Sequence, residues 1–528
     1  MPQHKTVAKL ESLALHQFCQ IGARTCTALE EGGNFDIENN GTAGDSVTIS
    51  SDFESFLKRL PSSILERLIS STLKIIAGKV RKKRSHKGLV AAVHCMPQTS
   101  VHKLDYGSLF TEVRLFGSVN SQLKESITHG FKRVPYLNEL KLSSKCTDEM
   151  LIELAKHCRD LEVLDIPLSD VSDRGLLALA GISLSGEVSK KLGHGCPKLR
   201  VLNIQDCMEV NPVGVASILR NLKEIQYLYY DKLVQALEIV LKLDMDYIEG
   251  NKHLKICHID QYGEFYNMEN NGDEMAKTLA NICPHVESFR FYISRNGCAS
   301  LQYFQTIKHL QIETSDVGTE FRLLASKSLS HLVTLHLTFR SMSQVELLAI
   351  ADICHNIEVL RLIGNKILDD EEPAEQSEQP KHGYFVNLKS FEVRIVKNFG
   401  DVDMIDIAED EDDDSQDEVN QTDTIVLMHF FFTHAFHLQE LIVSGPLFFP
   451  SEQFFEDFLK VNPLSHLQKL CLSPHQKCPI LNVKTAMDVI FALPSLNTMA
   501  LSRWSMTSQE IKEIGDELRK QNLDVTII

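Results

Sequence analysis

One six-residue phrase recurs along this 528-residue chain: apolar, two residues, apolar, one residue, apolar. It reads LNELKL at 137–142, LEVLDI at 161–166, LRVLNI at 199–204, IQYLYY at 225–230, LKICHI at 254–259 and VESFRF at 286–291. It continues through seven further copies to LNTMAL at 496–501, and FTEVRL at 110–115 is read as the first of fourteen. Most copies start 21–32 residues apart. The last three positions alternate, which predicts a short strand with one face buried. Between the phrases lie helix-period patterns such as TDEMLIELAKHC at 147–158 and SQVELLAIADIC at 343–354. A lone strand–helix unit cannot bury its apolar face, whereas stacked units share a continuous core.

The phrase and its period resemble the leucine-rich repeat. The sub-type is similar to the cysteine-containing form found in F-box and related ubiquitin-ligase receptors: Cys158, Cys196, Cys283 and Cys354 each end a helix pattern just before a phrase. These four are expected to be small packing residues, because their spacing spreads them along a solenoid instead of converging them on a metal. The expected fold is an α/β leucine-rich-repeat solenoid, a horseshoe of about fourteen irregular repeats over 101–528, preceded by an α-helical module over 1–100.

Charge is concentrated. Residues 369–380 hold six acids and residues 401–420 hold eleven, with no Lys or Arg in either stretch, and together they equal the whole formal net charge of −17. Runs of like charge repel, so acidic disordered loops are expected near 367–382 and 400–422. The remaining body has no basic excess, which does not favour nucleic-acid binding. The run TIVLMHFFFTHAF at 424–436 is too short to span a bilayer. The thirteen cysteines form no CxxC pair, as expected for a reduced compartment, cytoplasmic or nuclear.

No Walker loop, GxSxG, HExxH or dinucleotide fingerprint occurs, so no catalytic residue, cofactor or small-molecule substrate is assigned. His429, His434 and His437 lie among Phe and Ala without a nearby carboxylate or Cys, and are read as core or edge residues, not as a metal set.

The N-terminal region departs from the repeat. Residues 6–29 have a helical pattern, 30–52 are rich in Gly, Asn and acid and read as a flexible connector, and a helix is predicted from Pro61 through Ile64, Leu65, Leu68, Ile69 and Leu73. A basic run, KVRKKRSHK at 79–87, comes next, read as a nuclear-localisation signal, an acidic-partner contact or a linker.

Together the two segments resemble a VHL-box. That resemblance implies docking of Elongin C through Ala14, Leu15, Cys19 and Ala23, with Leu15 the anchor in an apolar pocket, and contact with a cullin through Leu60, Pro61, Ile64 and Leu68. The arrangement is similar to that of the Zyg-type substrate receptors of Elongin–cullin ubiquitin ligases, and implies an adaptor whose inner horseshoe face holds a protein substrate. Two alternatives stay open. LPSSILERLIS also looks like the opening of an F-box, which binds Skp, although the one Trp is Trp504, far from it. Residues 1–100 would also serve as a cap on the open end of a non-ligase binding scaffold. For the substrate face, strands five to seven are expected to set Tyr227, Tyr229, His258, Arg290 and Tyr292 side by side, since Tyr and Arg are favoured interface residues.

Overall fold

The computed structural model of the chain describes residues 17, 20, 51–83, 87–107, 118–182, 195–244, 253–261, 272–293, 302–316, 329–343, 346–347, 350–351, 354–368, 385–396, 435–445, 459–460, 462–474, 483–500, 506–521 and 523–527. The chain divides into two compact units, Met1–Asp260 and Gln261–Ile528.

The first unit opens with helices α1 (Ser51–Arg59), α2 (Ser62–Lys83) and α3 (Lys87–Cys95). Strands β1 (Lys103–Asp105), β2 (Glu139–Lys141), β3 (Val163–Asp165), β4 (Val201–Asn203), β5 (Tyr227–Tyr229) and β6 (His258–Gln261) come after them. They alternate with α4 (Ser118–Gly130), α5 (Asp148–His157), α6 (Asp173–Leu179), α7 (Pro212–Asn221) and α8 (Leu233–Leu243). Each strand pairs in parallel with the next, in chain order.

The phrase explains the pattern. Positions 1, 4 and 6 are fully buried, as at Leu137, Leu140 and Leu142 or Leu161, Leu164 and Ile166. Each such side chain contributes roughly 2 kcal/mol by leaving water. Positions 3 and 5 stay half-exposed on the opposite face. The backbone N–H groups of positions 2 and 3 both donate to the position-2 carbonyl of the preceding repeat: Glu162 and Val163 to Asn138 O at 2.8 and 2.9 Å, Arg200 and Val201 to Glu162 O at 2.8 and 2.9 Å. A residue in the left-handed region then stops the strand: Ser143 (φ 50°), Leu168 (φ 56°) and Asp206 (φ 55°).

The helices of this unit are stapled from repeat to repeat. Asp148, the first residue of α5, accepts Ser172 N at 2.8 Å, Ser172 Oγ at 2.6 Å and Gly175 N at 3.1 Å. One repeat on, Asp173 accepts Asn211 N at 2.9 Å. The facing helices carry Gly175 and Gly214, where a Cβ would stand 2.6 and 2.2 Å from the carboxylate oxygens of Asp148 and Asp173. Cys158, Cys196, Cys283 and Cys354 are fully buried. Cys196 Sγ donates to Cys158 O at 3.4 Å, tying one repeat to the next. Burial pushes the Cys158 and Cys354 thiols up to about 12, which keeps them protonated and unreactive.

The second unit holds α9 (Gly272–Ile282), then β7 (Ser288–Ile293), β8 (His309–Asp316), β9 (Thr334–Ser343) and β10 (Val359–Leu368). Next are β11 (Ser390–Ile395), β12 (Glu440–Gly445) and β13 (Lys469–Pro474), then α10 (Val483–Ala492), β14 (Thr498–Ala500), α11 (Ser508–Lys520) and β15 (Thr526–Ile527). From β7 to β15 the strands again pair in parallel and in chain order. Gly364 in β10 makes room for the buried Phe339 ring, 2.3 Å from where a Cβ would stand.

Several expectations are corrected. FTEVRL lies outside the described residues; the strand that pairs before β2 belongs to VHKLDY at 101–106, where His102 O accepts Asn138 N and Glu139 N. The sixth copy starts at Ile256, not Leu254, because Tyr227 pairs with His258 and Cys257 N donates to Gln226 O at 2.7 Å. A final short strand, β15, extends the series past LNTMAL. Ser51 and Asp52, placed in the connector, belong to α1, and α2 carries the basic run as far as Lys83. Of the loops expected at 367–382 and 400–422, Ile367 and Leu368 belong instead to β10, and the rest lies outside the described residues.

Candidate functional site

The edge of the first unit decides what the N-terminal helices can do. At β2 to β5, two N–H groups share one backbone carbonyl of the preceding repeat. Among the described residues no strand precedes β1, and an open edge strand is a hazard for pairing with other chains. Glu66 on α2 fills the gap: its Oε1 accepts His102 N at 2.8 Å and Lys103 N at 3.0 Å, so one carboxylate oxygen replaces the missing carbonyl. Leu65, Leu68, Ile69, Leu73 and Ile76 of the same helix are buried, and Arg133 Nη1 donates to His94 O at 2.5 Å. This face of the helical segment is a cap.

The opposite face is more exposed. Of the four residues expected at a cullin, Leu68 is 3% exposed and belongs to the capping face, which corrects its assignment. Pro61 is exposed, Leu60 is half-buried, and Ile64 is 42% exposed. Phe56 on α1, which the sequence reading had not singled out, is 37% exposed. The turn between α1 and α2, closed by Leu60 N donating to Leu57 O at 3.2 Å, therefore carries an apolar exposed corner. Ala14, Leu15, Cys19 and Ala23 lie outside the described residues; Gln17 and Gln20 between them are helical and exposed.

The open strand faces are built from positions 3 and 5 of each phrase. In the first unit, Lys103, Glu139 and Lys141 form a short ion-pair ladder, with 2.9 Å from Lys103 to Glu139 and 3.3 Å from Lys141 to Glu139. The hydrogen bond and charge of Lys103 hold the Glu139 carboxyl below its usual range. Asn203 Nδ2 donates to Asp165 Oδ1 at 2.9 Å. Tyr227, Tyr229 and His258 come together as expected, with the Tyr229 and His258 rings 5.0 Å apart and tilted 45°. The corrected register sets His258 at position 3, beside Tyr227, and not at position 5.

Arg290 and Tyr292 belong to the second unit. Arg290 Nη2 reaches Glu313 Oε1 at 3.4 Å, and Tyr292 pairs in register with Glu313. Further along this face lies a cluster the sequence reading had not named. Glu392, buried although charged, is gripped by Arg361 Nε at 2.5 Å on one oxygen and by Arg394 Nε on the other. His336 stands next to Arg361 in register, and burial, reinforced by the Arg361 charge, lowers its pKa to about 4. Glu440 accepts Lys469 Nζ at 2.6 Å and Ser390 Oγ at 2.9 Å. The signal for this cluster was the residue between the last two apolar positions of LVTLHL, IEVLRL and LKSFEV.

Among the described residues no group of three His, Cys, Asp or Glu side chains could hold a metal, and no helix is long and apolar enough to cross a membrane. His437 lies 5.8 Å from the His466 ring; His429 and His434 are outside the described residues.

The shared-carbonyl ladder, the buried 1-4-6 phrase and the parallel order of strands within each unit define the class: an α/β leucine-rich-repeat solenoid. No family model matches the chain, and no curated protein matches it. Among solved structures it is similar to a leucine-rich-repeat protein of Leptospira interrogans, 12% identical over 84% of this chain and 91% of that one, with a TM-score of 0.32.

Proposed function

We propose that this chain is a non-catalytic adaptor of a cullin-type ubiquitin ligase. Its N-terminal segment docks Elongin C through Leu15, Cys19 and their neighbours and a cullin through the corner around Pro61. The open strand face holds the protein to be modified. The protein does no chemistry itself; it raises the concentration of its client near the ligase. The reading belongs in the cytoplasm or nucleus, and the buried, protonated thiols are in keeping with a reducing compartment.

The observation that carries the reading is the division of labour on α2. Glu66 and the Leu65–Leu68–Ile69 side secure the edge of the repeats, while Phe56, Pro61 and Ile64 are exposed and Leu60 half-buried in an apolar corner beside it. Exposed apolar residues grouped at a helix start suit docking of a partner helix.

Co-purification from cell extract tests it, scoring Elongin B/C, cullin and Skp with the intact chain, with Leu15→Ser/Cys19→Ser, and with Ile64→Asp. Elongin lost in the first variant and cullin lost in the second, with both variants still folded, is the expected result. Recovery of Skp, sensitive to Ile64→Asp only, moves the assignment to an F-box. Neither partner recovered leaves a capped binding scaffold and defeats the ligase reading.

A further inference from the structure

The strand register of the second unit places one residue from each of six strands in a straight row across the open face: His336, Arg361, Glu392, Ile442, Cys471 and Ala500. The first half is polar and the second apolar. Burying a carboxylate costs several kcal/mol unless it is paired. Here Glu392 receives two guanidiniums through their Nε atoms, while the side chains of Arg361 and Arg394 stay 44% and 51% exposed. A guanidinium has five N–H donors; each arginine meets Glu392 through Nε as an ion pair, and the Nη donors are not part of that contact. The buried acid thus fixes two arginines side by side at the surface, and the trio carries one net positive charge.

Beyond the trio, Ile442, Cys471 and Ala500 form a half-exposed apolar track. Ser444 and Ser473 run beside it as register partners of each other, and Ser444 is also the partner of Arg394. Adjacent strands lie about 4.8 Å apart, so the track from Glu392 to Ala500 spans roughly 14 Å, the reach of about four extended residues.

We propose that this face binds a peptide segment of the client that carries one carboxylate and then small or aliphatic side chains. The carboxylate sits on Arg361 and Arg394, and the apolar residues lie along Ile442, Cys471 and Ala500. Charge selects a carboxylate over a phosphate: one negative charge neutralises the trio, whereas a dianion leaves excess negative charge beside a buried Glu392. His336 next to Arg361 stays uncharged at neutral pH and leaves this balance undisturbed. The inference deepens the reading of the open face as the client site and does not depend on the N-terminal docking.

The test uses the full chain, panned against a displayed library of random twelve-residue peptides, with the most enriched sequence then made synthetically. Enriched peptides are expected to carry Asp or Glu with Leu, Ile, Val or Ala within the next four residues. Changing that Glu to Gln in the peptide should weaken binding about tenfold on the parent protein and leave it unchanged on Arg394→Ala. Phosphoserine in its place should bind more weakly than Glu. Ile442→Asp should abolish binding. The peptide-side change leaves the protein intact, so the result stands even where an arginine variant unfolds. Acid-free peptides that Ile442→Asp still abolishes overturn the carboxylate and keep the open face. Peptides indifferent to both Arg394→Ala and Ile442→Asp overturn the open face itself. A preference for phosphoserine, or a library that enriches nothing, also overturns the inference.

Discussion

In the first unit β1 to β5 are three residues long, each with a helix after it; in the second, β7 to β13 run six to ten residues. Both units use the same six-residue phrase, so the difference comes from the residues just past its last apolar position. In the first unit Ser143, Leu168 and Asp206 turn the chain through the left-handed region within two residues. In the second, TFRSMS after LVTLHL and IGNKIL after IEVLRL carry strand-type alternation onward, and β9 and β10 stay paired as far as Ser343 and Leu368. The phrase sets the register and the residues after it set the width of the sheet. Short strands leave stability to the helix side, where Asp148 and Asp173 staple neighbouring repeats. Long strands place it in the ladder and add a third row of open-face positions, which is where Arg394, Ser444 and Ser473 stand.

Substitutions should break the two units by different routes. The largest effect is expected for Gly364→Val in the second unit. A Cβ there meets the buried Phe339 ring at 2.3 Å, and overpacking of this kind costs about 3 kcal/mol. Chemical denaturation should lose the second unit first, with first-unit probes unmoved. Asp148→Ala is the matching test in the first unit. It strands three donors, Ser172 N, Ser172 Oγ and Gly175 N, at a cost of about 2 kcal/mol, and the order of unfolding should reverse.

Glu66→Ala should cost somewhat less, about 1–2 kcal/mol, and speed amide exchange at His102 and Lys103; Glu66→Gln keeps an acceptor oxygen and should recover most of the loss.

A pH titration separates the units again. The folded-state pKa of His336 is depressed from 6.5 to about 4, so the unfolded chain takes up that proton first as pH falls. His336 therefore withdraws stability between pH 6.5 and 4, and His336→Gln should flatten the loss in that window for the second unit only. The smallest change is expected at Gly130, where an added Cβ meets nothing within 4 Å; Gly130→Ala should stay within about 0.5 kcal/mol of the parent.

Much of this was legible beforehand, because a buried 1-4-6 phrase is a local pattern. It located β2 to β5 and β7 to β14 by their residues. It missed β1, although VHKLDY ends in Tyr106 just as the accepted IQYLYY ends in Tyr230, and it missed β15 because Asp524 opens that copy. At β6 it slipped by two residues: Leu254, Ile256 and Ile259 are all apolar and all buried, so hydrophobicity alone fits two registers, and only the bonds of Cys257 and the pairing of His258 choose between them. The Glu66 cap joins residues 36 apart through a side chain that mimics a carbonyl, and no periodicity reports that. Arg361 and Glu392 were present in the phrases, with Arg394 just past one, but they become a cluster only once β10 and β11 are set side by side.

The central claim is that α2 has two faces, one closing the repeats and one left for a partner. Amide hydrogen exchange on the intact chain, alone and with purified Elongin B/C and cullin, tests it most directly. The account predicts that residues 65–76 exchange slowly in the free protein and do not change on binding, while 14–23 and 56–64 become protected only when the partners are added. Fast exchange across 65–76 in the free chain, or no added protection at 14–23 and 56–64, would contradict it.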